Sequence, residues 1–100
     1  MPHPRDVIRA DRVRTIPESF SWIDRRFVRE KATRLDRDAI LLYFFLAAVS
    51  DQKGLSFYSD ASIAVRLRMG EQAVVHARDE LVREDLVAYR APLTQVLSLP

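Results

Sequence analysis

The sequence predicts one α+β domain, mainly helical, in which a three-helix core is closed by a small β-hairpin. Three observations carry that expectation. Apolar residues recur at helical spacing in three successive segments after residue 36. Turn-forming residues separate these segments, at "SDQKG" and "RMG". Two short runs rich in strand formers, "LVAYR" and "QVLSL", flank "APLT" near the C-terminus.

One hundred residues fit a single domain, read here as a basic, flexible arm over 1–17 and a folded unit over 18–100 whose core spans 36–99. The hydrophobic share of 48% and charged share of 30% belong to an ordinary globular protein, expected in the cytoplasm. A core of this size is modest, so a partner or dimer would help stability. There is no cysteine, which removes disulfides and thiolate metal sites. The N-terminal stretch has arginines but no apolar run of signal-peptide length. The most apolar run, "AILLYFFLAAV" (Ala39–Val49), is eleven residues long. A membrane-spanning helix needs about 20, so no membrane association is expected and this run reads as a buried helix.

Charge is segregated. Met1–Arg37 holds ten basic and six acidic residues, a net of +4, which leaves −2 for the remainder. Such asymmetry points to a polyanionic partner for the arm.

Taken in order, the arm has three prolines and no sustained apolar period. In "SFSWIDRRFV", Ile23, Phe27 and Glu30 fall at helical spacing, predicting a short helix from about Asp24 to Lys31. Its aromatics are expected on the main core, with Phe20 and Trp22 as a lid. The next helix starts near Asp36, where Asp36 and Asp38 suit the positive end of the dipole, and stops at Gly54. It is apolar nearly all round and must be covered on several sides. The Phe20–Val28 segment or a second subunit can supply that cover, so a homodimer through Ala39–Val49 or through Phe20–Val28 is open. "LSFYS" is a short strand candidate. Ser59 or Asp60 caps a second helix with Ile63, Ala64 and Leu67 inward. A third helix runs from about Gly70 to Glu84 with Val74, Ala77 and Leu81 inward. Pro92 fits the second position of a tight turn between the two final strands.

The run "IAVRLRMGEQAVVHARDELVREDLVAY" resembles the winged helix-turn-helix superfamily, as found in small bacterial transcriptional regulators and the N-terminal domains of plasmid or phage replication initiators. Ala64 lets the two helices approach; Leu67 and Met69 fill the angle between them; Val74 and Leu81 lock the second helix. The likeness covers Asp36–Leu99. It departs from the usual pattern at Arg68 and Asp85, where glycine is common, and at Gly70, where a capping serine or threonine is common. Aspartate tolerates the left-handed conformation better than most residues, and glycine is an acceptable cap. The wing is short and carries only Arg90 at its base.

That resemblance implies duplex DNA as the partner and a role as transcriptional regulator or replication accessory factor. Gln72, Val75, His76 and Arg78 would read bases from the third helix, Gln72 on adenine and Val75 on a thymine methyl. Arg66, Arg68 and Arg90 would hold phosphates, with Arg5, Arg9, Arg12 and Arg14 of the arm reaching alongside. Against this, Gly70–Asp85 holds five acids and two arginines, a net of −3. Phosphate neutralisation dominates DNA affinity, so DNA binding would depend on the arm. The alternative is a protein-interaction module, with Glu71, Asp79, Glu80 and Glu84 exposed to a basic partner. An enzyme is not expected: there is no cysteine nucleophile, no glycine-rich phosphate loop and no His/Asp/Glu cluster. Nor is a cofactor or a metal, since His76 has no second ligand at metal spacing.

Overall fold

The structure is a computed structural model that describes residues 5–100. Three helices form the body: α1 (Arg37–Val49), α2 (Asp60–Leu67) and α3 (Glu71–Arg83). Strands β1 (Leu55–Ser56), β2 (Val87–Arg90) and β3 (Leu93–Val96) make one antiparallel sheet in the order β1–β3–β2. The topology is α+β and winged-helix-like. Leu55 and Ser56 pair with Gln95 and Thr94, and Val87–Arg90 pair with Val96–Leu93 in reverse order.

The core forms where α1 and α2 pack on α3 and the hairpin closes one end. Leu42, Tyr43 and Leu46 of α1 meet Ile63 and Ala64 of α2, Val74, Ala77 and Leu81 of α3, and Leu86 and Val87. The inward positions expected from helical spacing are the ones buried; Leu67 and Met69 are half-buried at the edge.

The segment before α1 is helical over the expected span, but its helix is of another type. A π-helical turn, Phe27–Lys31, closes with the Ala32 N–H on the Phe27 carbonyl and runs into a 3-10 turn, Ala32–Arg34. Asp24 starts it: its carboxylate accepts the Arg26 N–H at 2.9 Å, an Asx arrangement that competes with regular helix. Phe27 is fully buried and stacks on Tyr43 at 3.9 Å between centroids, with Phe44 edge-on at 5.6 Å. Phe20 and Trp22 do not join it. They are 61% and 74% exposed, on an irregular segment that precedes the first helical turn.

Both short loops after helices use left-handed residues other than glycine. Arg68 has φ +58, with Met69 N–H bonding back to Ala64 O at 3.0 Å. Asp85 has φ +59, with Leu86 N–H on Leu81 O at 3.0 Å. These are Schellman closures, in which the left-handed residue turns the chain and the next amide satisfies an orphan carbonyl. Gly54 is not the stop of α1, which ends at Val49 with Ser50 extended. Its φ is +85 and a Cβ would sit 2.4 Å from Val96 O, so it is glycine because β3 passes there.

The strands are also displaced from expectation. β1 is two residues, since Phe57 already points to solvent and Ser59 caps α2 by accepting the Ser62 N–H at 3.1 Å. The wing turn is Arg90–Leu93 with Pro92 third, after a cis peptide, and not second. This two-residue connection draws Leu93 and Thr94 into β3, which therefore runs Leu93–Val96 and not Gln95–Leu99.

Candidate nucleic-acid interface

Ser59 starts α2, the Schellman closure at Arg68 turns the chain, and Gly70 opens α3 in an extended conformation without a side-chain cap. With Val74, Ala77 and Leu81 inward, helical period leaves Glu71, Gln72, Val75, His76, Asp79, Val82 and Arg83 outward, and all are exposed. Gln72, Val75 and His76 are thus displayed together on the first two turns of α3.

Arg78 is not among them. It is 6% exposed, its guanidinium pairs with Asp60 at the start of α2, and it lies 4.0 Å over the Tyr89 ring of β2. The expectation that Arg78 reads bases is corrected: its side chain runs along the body, and the cation is spent on a carboxylate and an aromatic face. Glu80 is likewise inward and not part of an exposed acidic surface. Its Oε2 accepts the Asp36 N–H at 2.8 Å, so α3 satisfies a free amide at the start of α1, while the Asp36 side chain makes no cap hydrogen bond.

Arg66 and Arg68 are exposed beside the turn; Arg66 leans on Tyr58 at 5.5 Å and donates to Ser62 Oγ at 3.3 Å. Arg90 is exposed at the wing. With Arg78 and Glu80 both removed from the surface, exposed Glu71, Asp79, Glu84 and Asp85 face exposed Arg83, so the outer charge stays at −3.

Arg5, Arg9, Arg12 and Arg14 are all exposed, and no residue from 5 to 20 is buried. Arg9 is held by Asp11 at 2.8 Å. Among the described residues of the arm, a 3-10 turn, Ala10–Arg12, interrupts it. His3 lies outside the described residues.

Local sequence pattern gives no sign of a groove beside the Phe20–Trp22 segment, because its walls come from both ends of the chain and from α1. Phe20 and Trp22 wall a groove of about 740 Å³ with Tyr43, Val96 and Leu99. Ser21 Oγ donates to Ala48 O at 2.8 Å, pinning the stretch to α1. Arg26 joins Asp24 at 2.7 Å to Pro100 O at 2.6 Å, so the N-terminal segment is tied to the C-terminal one. That guanidinium, through its hydrogen bonds, holds the Asp24 carboxyl down at about 2. Burial pushes the Tyr43 phenol up.

Among the described residues no helix is long and apolar enough to cross a membrane, and no group of three His, Asp or Glu is placed to hold a metal. No protein-family model matches the chain, and neither does any curated protein or solved structure.

Proposed function

We propose that this chain is a cytoplasmic winged-helix protein that binds duplex DNA, acting as a transcriptional regulator or a replication accessory factor. The observation that carries this reading is the exposed set Gln72, Val75 and His76 on the first two turns of α3, next to Arg66 and Arg68. An amide, a methyl-bearing side chain and an imidazole supply adenine recognition, thymine contact and a donor or acceptor. Arg66, Arg68 and Arg90 contribute phosphate contacts, and the arm's arginines offset the acids of α3.

A salt titration of binding to random-sequence duplex DNA tests it. Affinity falls steeply with salt, and deleting residues 1–16 flattens the slope by about one for each phosphate contact removed. No binding at low salt overturns the proposal. Selection from a random pool then shifts its preferred sequence in Gln72→Ala and His76→Ala but not in Arg78→Lys; unchanged preference in the first two removes α3 as the reader.

A second reading, a protein-interaction module, is favoured by the residual −3 over the exposed charges of α3 and the loop after it, Glu71, Asp79, Arg83, Glu84 and Asp85. It predicts binding to a basic protein surface with DNA binding absent.

A further inference from the structure

The arm carries more apolar surface than a solvated tether needs. Val7, Ile8, Val13 and Ile16 are all exposed, Ile8 completely, and they alternate with arginines. Arg12 and Arg14 make no ion pair among the described residues. The outward face of α3 has the matching composition with opposite charge. Glu71, Val75, Asp79 and Val82 follow one another at steps of four, four and three, and so share one stripe. Val75 is 39% exposed and Val82 43%. In the groove beside Trp22 the carboxylates are largely engaged within the chain: Asp24 pairs with Arg26, Asp51 accepts the Lys53 and Leu55 N–H, and Lys53 lines the same groove.

We propose that the arm of one copy, around Val7–Ile16, docks on the Glu71–Val82 stripe of a second copy, with Arg12 and Arg14 set against Glu71 and Asp79. Exchange is reciprocal, so two copies close a two-fold dimer with two identical contacts and no free end. The valines and isoleucines supply the apolar contact, and the charges set partner and register. This inference does not rest on DNA binding. It places the arm on the face that would read bases, so a duplex competes with the dimer.

Sedimentation velocity of the full chain, without DNA, tests it. A monomer–dimer equilibrium that weakens with salt is expected. Arg12→Glu/Arg14→Glu gives a chain whose arm and helix are both acidic; Glu71→Lys/Asp79→Lys gives one in which both are basic. Each variant alone should dimerise about tenfold or more weakly than the wild type, because like charges now meet at both contacts. An equimolar mixture should restore dimer as a heterodimer, since each arm then finds a helix of opposite charge. All four positions are exposed, and far-UV circular dichroism checks that each variant is folded. A monomeric wild type at low salt overturns the proposal, as does a dimer that both variants leave intact. Failure of the mixture to recover dimer overturns it as well.

Discussion

Arg78 joins three elements through one side chain. Its guanidinium pairs with Asp60 of α2 while covering Tyr89 of β2, so α3, α2 and the hairpin are held at one point. The site is nearly closed to solvent on the arginine side, where an orphaned partner is costly. Arg78→Ala should therefore lower stability by about 2 kcal/mol, read by denaturant unfolding, with the thermal midpoint falling accordingly. Arg78→Lys recovers only part, because a compact ammonium cannot both stack and pair. A second residue-scale prediction concerns pH. The Asp24 carboxyl is held at about 2 against an ordinary 3.8, chiefly by hydrogen bonds from Arg26. A lowered folded pKa stabilises the protein above the unfolded value and loses that contribution as pH falls from 3.8 toward 2. Wild-type stability should thus drop across this window more than that of Asp24→Asn, measured as midpoint against pH. Equal pH profiles would show that the ion pair adds nothing to folding.

At the scale of elements, the two Schellman closures at Arg68 and Asp85 give the helix–turn–helix and helix–strand junctions their shape. In both, the residue after the left-handed position is apolar and packs inward: Met69 beside the core, and Leu86 fully within it. An arginine at φ +58 bears the steric cost of its Cβ, of order 1 kcal/mol relative to glycine. Arg68→Gly should stabilise the fold by about 0.5–1 kcal/mol in chemical denaturation. The same variant should weaken DNA binding at low salt if Arg68 holds a phosphate, so the two readouts move in opposite directions. Much of this was legible beforehand. Ala64, Leu67, Val74, Ala77 and Leu81 announce two helices meeting at an angle, because inward positions on short amphipathic helices leave few alternatives. The π-turn at Phe27–Lys31 was not legible, since spacing near 3.6 looks the same whether the chain later widens or not.

For the whole molecule, the described chain measures 53 × 29 × 27 Å, long for its size because the arm stands apart from the body. None of residues 5–20 is buried, whereas the segment after them is tied to the body by Ser21 on Ala48 O and Arg26 on Pro100 O. Removing residues 1–16 should consequently leave the intrinsic stability of the monomer within about 0.5 kcal/mol, the range of surface changes. Thermal unfolding at low concentration, where no dimer contributes, checks this. A large loss would mean that the arm is part of the fold and not an appendage.

Local periodicity and turn chemistry determined the α+β architecture, the identity of the core and the exposed row Gln72, Val75 and His76. These depend on which face of a helix is apolar, and that is written in neighbouring residues. The fates of Arg78, Glu80, Phe20 and Trp22 were decided only by tertiary structure. Spacing placed Arg78 and Glu80 on a solvated face, yet each found a partner more than 15 residues away along the chain, Asp60 and the Asp36 amide. Hydrophobicity placed Phe20 and Trp22 inside, yet Phe27 is the aromatic that is buried and stacks on Tyr43, while they stay exposed. A side chain's preference is local, but whether a partner or a vacancy awaits it is set by how the elements come together.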